Sequence, residues 1–169
     1  MSIFNWRKNK SVEKQPSSNN VQPNNFVANT PSKYAMLQEI KELLEKKTTV
    51  KSATIINDHI IAECQNNYLW TINIIWDATL SIIKLDTILF QPAVSKFEEV
   101  FDLINDLNNK SLFLKLYRDW DGVHSDYDVP IIKNFKSMSF VANIFDTFLS
   151  SVETTFKNIP TEYLGGIIL

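Results

Sequence analysis

Between residues 53 and 89 the chain runs through one apolar, β-branched stretch after another, with only short turns between them. Ala53-Thr54-Ile55-Ile56 and Ile60-Ile61-Ala62 flank Asn57-Asp58, a turn signal, and Gln65-Asn66-Asn67 marks a second turn. Residues 68–76, YLWTINIIW, are dense in aromatic and β-branched side chains and predict a strand that Asp77-Ala78 ends. Residues 79–89 predict a further strand in which Leu80, Ile82, Leu85 and Ile88 do not alternate strictly, so a bulge is expected near Lys84. A parallel crossover needs roughly a dozen residues or more, and these turns are far shorter, so the strands are expected to pair as an antiparallel meander. Trp70 and Trp76 share parity with Ile72 and Ile74, while Leu69, Thr71, Asn73 and Ile75 make a mixed opposite face. The helices cover one face of such a sheet. The other is covered by them too, or by a second subunit or a client strand.

Helical patterns surround the meander. Thr30-Pro31-Ser32 reads as a helix start, and Tyr34, Leu37, Ile40, Leu43 and Leu44 then fall on one face, predicting a helix over 32–47. After Pro92, Ser95-Lys96-Phe97-Glu98 has the form of a capping box, and Val94, Phe97, Val100, Phe101, Ile104 and Leu107 form an apolar stripe. Leu112, Leu114 and Leu116 share one strand face, Asp119-Trp120-Asp121-Gly122 supplies a turn, and residues 123–129 return. Phe140, Val141, Ile144, Phe145, Phe148, Val152 and Phe156 predict a helix over 137–158 that Pro160 stops. The expected fold is α+β: an antiparallel sheet of five to six strands with three helices, in the order α-β-β-β(-β)-α-β-β-α.

The residue inventory excludes much chemistry. Glycine occurs only at 122, 165 and 166, which leaves no phosphate-cradling loop and no dinucleotide fingerprint. Cys64 alone forms no disulfide framework or thiolate zinc cluster, and His59 and His124 are too few for most histidine metal sites. Residues 11–33 are rich in Ser, Asn, Gln and Pro without apolar periodicity, so 1–31 is expected to be a disordered basic and polar tail, 32–160 the folded domain and 161–169 a C-terminal tail. Residues 1–33 hold Arg7, Lys8, Lys10, Lys14 and Lys33 against Glu13, a net +4, which leaves −6 of the overall −2 to residues 34–169. The N-terminus has neither the charge order nor the apolar run of a secretory signal, and the most apolar stretch, 68–90, contains Asp77, Lys84 and Asp86. A cytoplasmic protein without a transmembrane segment is expected.

The second half also resembles a known family. Asn105-Asp106-Leu107-Asn108 at the end of the middle helix, the Asp121-Gly122 turn, Tyr127-Asp128-Val129-Pro130 and the final helix VANIFDTFL are similar to the YbjN-like family and to the type III secretion chaperone fold it shares. The resemblance covers roughly residues 32–160 and is strongest over 97–150. It implies a non-enzymatic, often dimeric, acidic adaptor. Secretion chaperones of this fold hold an extended segment of a client around their surface. It supplies no catalytic residue.

Among candidate sites, Asp119, Asp121, Asp126 and Asp128 form an oxygen-rich cluster of the kind that binds calcium or serves a metal enzyme. The EF-hand spacing fails: the sixth position from Asp119 is His124 and the twelfth is Pro130. The favoured reading is a turn and a solvated strand face, with His124, Asp126 and Asp128 pointing outward together. Cys64 and His59 are an odd distance apart and so lie on opposite faces of one strand, which opposes a thiol–imidazole pair. Glu98 is expected to cap a helix and Glu99 to be solvated. Phe4, Trp6 and Arg7 are expected to form a docking motif in the tail, and Trp120, an aromatic in a turn, a partner anchor. No catalytic residue, metal or cofactor is expected. The expected partner is a protein client or a second copy of the chain. The alternatives are nucleic-acid binding through the basic tail and strand aromatics, which the acidic core opposes, and metal-dependent catalysis.

Overall fold

The computed structural model describes residues 32–77, 79–131 and 138–166. Phe4, Trp6 and Arg7, with the rest of 1–31, lie outside the described residues, as does the apolar tip at 167–169. Helix α1 spans Lys33–Leu44, and the Ser32 side chain caps it by accepting from the Ala35 N–H at 3.2 Å. It buries Met36, Leu37, Ile40 and Leu44, while Tyr34, expected on that face, is exposed in the first turn.

Strands β1 (Val50–Ile56), β2 (His59–Gln65), β3 (Leu69–Asp77) and β4 (Ile82–Pro92) form the expected meander. Asn57 turns β1 into β2 with φ of 45°, a left-handed conformation that Asn tolerates. A 3-10 turn at Val94–Lys96 leads to α2 (Val100–Lys110), and β5 (Lys115–Asp119) and β6 (Gly122–Pro130) make a hairpin with Trp120 and Asp121 at its tip. Helix α3 spans Ser139–Lys157. The fold is α+β, and all the pairings are antiparallel, in the order β1-β2-β3-β4-β6-β5. A seventh strand, β7 (Leu164–Gly166), folds part of the expected C-terminal tail back onto Gln91 and Pro92 of β4.

Two local expectations are corrected. The bulge lies at Leu89, where the β4–β6 register slips between Ile88 and Phe90, rather than near Lys84. The slip lets Leu89 and Phe90 both be buried, and Gly122 sits opposite, where a Cβ would come within 2.9 Å of the Phe90 carbonyl oxygen. The capping box does not form either. Ser95 lies in the 3-10 turn, and α2 starts at Val100 without a side-chain cap. Only Val100, Ile104 and Leu107 of the predicted stripe are buried, because the stripe is wider than the surface it packs on, and Val94, Phe97 and Phe101 are left exposed.

The apolar sides of the three helices join one continuous core with Ile60, Ile72, Ile74, Ile83 and Leu85 of the sheet. By alternation, Thr54, Ile61, Glu63, Thr71, Asn73 and Ile75 point to the opposite face. Among the described residues no helix is long and apolar enough to cross a membrane.

One edge of this sheet is blocked at one residue by a side chain. The Asn108 amide of α2 accepts from the Leu116 N–H at 2.7 Å and donates to the Leu116 carbonyl at 2.8 Å, which satisfies the outward backbone groups of this residue of edge strand β5. Asn108→Ala is expected to cost about 1–3 kcal/mol by leaving part-buried backbone groups unpaired. It also frees an edge for pairing with another chain, so urea titration should show the loss and light scattering a rise in self-association.

Candidate interaction surface

The most concentrated chemistry lies on the sheet face away from the core, where β4, β6 and β5 meet. His124 Nδ1 is 3.1 Å from Asp86 Oδ1 and Nε2 is 2.7 Å from Asp121 Oδ1. The Tyr117 ring stacks on the imidazole at 5.2 Å, and its hydroxyl donates to Asp86 at 3.0 Å. Lys84 Nζ pairs with Asp126 at 2.6 Å and lies 5.4 Å over the Tyr117 ring. These side chains bury one another. His124, Asp86 and Asp126 are nearly inaccessible, with Asp126 only 3% exposed.

This corrects the expected solvated face. Of His124, Asp126 and Asp128, only Asp128 is exposed. Alternation placed all three on one side correctly, but it carried no information about Lys84, Asp86 and Tyr117, which neighbouring strands deliver to the same place. Cross-strand register could have found them, since Asp86 pairs with Asp126 and Tyr117 with His124.

The network is poorly built for catalysis. Burial pulls the His124 pKa down, but the hydrogen bond to Asp121 and the charge and hydrogen bond of Asp86 outweigh it and raise the value above the ordinary one. Both ring nitrogens face carboxylates, so neither is free to accept a substrate proton. Burial and the adjoining Asp86 carboxylate push the Tyr117 hydroxyl well above its usual range. Burial lowers Lys84, but its hydrogen bond to Asp126 prevails and the net shift is upward.

The other candidates separate. The four aspartates do not converge. Asp119 accepts from the Trp120 N–H in the turn, Asp121 takes His124, Asp126 takes Lys84, and Asp128 lies toward the far end of β6. Among the described residues no group of three or more His, Cys, Asp or Glu side chains is placed to hold a metal ion. Cys64 is buried, and burial followed by the Glu63 charge pushes its thiol up to about 12, far from a reactive thiolate. His59 lies on the other face of β2, and β3 and β4 separate it from β6, which carries His124. Glu98 is exposed and caps nothing, and Glu99 pairs with Lys96 at 2.5 Å. Trp70 and Trp76 point to the core side, so the outward face of β3 offers no aromatic stacking platform. A shallow apolar cleft of about 200 Å³ lies between Ile83, Val129, Met138 and Phe140, below the usual size of a small-molecule site, and among the described residues no titratable side chain lines it.

What remains is an exposed apolar patch. Val94 is 93% exposed, Phe97 and Phe101 about half, and Trp120 is 90% exposed at the hairpin tip. The Arg118 guanidinium stacks 3.2 Å over the Phe97 ring and lies 5.2 Å from Phe101, and it donates to the Phe97 carbonyl at 3.1 Å. It thereby ties the β5 end of the hairpin to the start of α2. Trp120 is the one site residue from the sequence that the structure describes, and it stands two positions beyond Arg118. Phe97, Phe101 and Arg118 were missed because the helical stripe read as core.

No protein-family model matches the chain, and no curated protein matches it. Among solved structures, a chain of one described as "Structure of the HopA1-SchA Chaperone-Effector Complex" is similar at 11% identity, over 73% of this chain and 92% of that chain, with a TM-score of 0.49.

Proposed function

We propose that this chain is a non-enzymatic protein-binding module of the adaptor or chaperone type, as the resemblance of its second half to the YbjN-like family implies, and that it takes an apolar segment of a client on the surface carrying Val94, Phe97, Phe101 and Trp120. The observation that carries this reading is the 90% exposure of Trp120, two positions beyond the Arg118 that ties this hairpin to the half-exposed Phe97 and Phe101, since large aromatics held in water are the usual anchors of protein interfaces. The paired ring nitrogens of His124 and the raised Cys64 thiol support a binding role over an enzymatic one.

A photo-crosslinking amino acid at position 120 tests it. A discrete protein adduct is expected in the native cell, absent when the same group stands at the exposed Asp128. Trp120→Ala is expected to weaken the adduct's partner by about 30-fold or more, the effect of losing a hot-spot aromatic, with little change in stability. No adduct at 120, or equal labelling at 128, would remove the reading.

A further inference from the structure

The patch is acidic as well as apolar. Glu98 and Asp102 are exposed and succeed each other by one helical turn beside Phe97 and Phe101, and neither has a cation partner among the described residues. Asp119 is exposed at the neighbouring hairpin, where it accepts from the Trp120 N–H, and it has no cation partner among the described residues. The two described cations beside the patch are both engaged: the Arg118 guanidinium is stacked on Phe97, and Lys96 pairs with Glu99 and lies over the Tyr163 ring. A ligand for this surface therefore combines aromatic side chains with several positive charges.

One segment of the chain itself has that composition. Residues 4–10 read Phe4-Asn5-Trp6-Arg7-Lys8-Asn9-Lys10, with two aromatics, three cations and no acid. They belong to a stretch of net +4 joined to a body of net −6. We propose that residues 4–10 dock on the chain's own α2–hairpin patch and screen it. The docking rests on the charges and apolar side chains alone. Its consequence, competition with a client for one surface, rests on the function proposed above.

Reach and energetics permit it. Residues 11–31 connect this segment to the cap of α1, and such a stretch spans up to about 70 Å when extended. A fold of this size has a radius of gyration of about 14 Å, so no part of its surface is beyond the segment. A tether of this length holds its end at roughly millimolar effective concentration, so even a millimolar intrinsic affinity leaves the patch about half-occupied. Two aromatics meeting exposed Phe and Trp side chains, with three cations against Glu98, Asp102 and Asp119, supply a modest attraction of this order.

The test uses the full chain with Ser2→Cys carrying a nitroxide. Cys64 is buried and stays unlabelled. Paramagnetic broadening of the backbone amides of 94–102 and of the Trp120 indole N–H is expected, with these signals losing far more intensity than those of the rest of the surface. Phe4→Ala/Trp6→Ala should abolish this broadening, and 0.5 M salt should weaken it. Three outcomes overturn the proposal: uniform broadening over the surface, broadening centred on the sheet face, or broadening that requires a mixture of labelled and isotope-enriched chains, which would assign the segment to a second copy. The two readings fail separately. Loss of the broadening while the position-120 adduct persists sinks the docking and leaves the binding function standing.

Discussion

Replacing Glu153 by Ala is expected to destabilise the fold by about 3 kcal/mol, the cost of stranding several part-buried donors at once. Glu153 is 3% exposed on α3, and its carboxylate accepts from Asn66 Nδ2 at 3.0 Å, the Asn67 N–H at 2.9 Å and Asn67 Nδ2 at 2.5 Å. It thereby fixes the β2–β3 turn to the helix that covers the sheet. Burial raises its pKa, but the hydrogen bonds from Asn67 and Tyr68 outweigh that and lower the net value. The Trp70 indole N–H adds to the lowering although it does not reach hydrogen-bonding geometry. A carboxyl lowered in the folded state stabilises above its unfolded pKa of about 4.3, and that contribution disappears as pH falls through the folded value. Glu153→Gln should therefore unfold earlier than the parent in urea at pH 7, and the gap should close toward pH 3. For a domain of this size the Ala variant should melt about 10 °C lower.

Glu153 also shows where sequence reasoning stops. Val152 and Phe156 identified the buried side of α3 by spacing, and Asn66-Asn67 identified the turn. Nothing in either segment says that an acid within the apolar stripe is the receptor for that turn, because the pairing spans 86 residues of chain. Local chemistry was legible. The helix start near Ser32, the Asn57-Asp58 turn and the Asp119–Gly122 hairpin turn were each signalled by residues at the site itself. The meander followed from loop length alone. Features that depend on a partner strand were not legible. The bulge sits at Leu89 because Gly122 of another strand accepts the close approach there. The outward residues of β6 are buried because β4 and β5 bring Asp86, Lys84 and Tyr117 beside them.

The same distinction governs the interaction surface. A helix stripe predicts burial only if the surface beneath it is as wide as the stripe. The core takes Val100, Ile104 and Leu107 of α2 and leaves the Phe97–Phe101 side open. Asn108, one position past the buried Leu107, occupies the outward backbone groups of Leu116 on the adjoining β5 edge, which a pairing strand would need. An extended client pairing with β5 is therefore disfavoured, and side-chain docking on the open helix face is the mode this end of the sheet permits.

Replacing His124 by Ala should cost about 3 kcal/mol, since it leaves the Asp86 carboxylate buried without its cation. In the parent, the carboxylates on both sides hold the imidazole protonated above its ordinary pKa. A histidine raised in the folded state stabilises fully below its unfolded pKa of about 6.5, and the contribution is lost as pH rises through the folded value. The stability difference between the parent and His124→Ala should therefore be largest near pH 6 and shrink on the alkaline side, the reverse of the Glu153 pair. Imidazole proton shifts followed by NMR should give the midpoint above 6.5 directly. The double variant Asp86→Asn/His124→Leu should recover much of the loss, because the buried charge leaves together with its partner and the Tyr117 hydroxyl can donate to the Asn carbonyl in place of the carboxylate. Full recovery would make the network dispensable for folding. No recovery would mean that Asp86 is held mainly by contacts other than the imidazole.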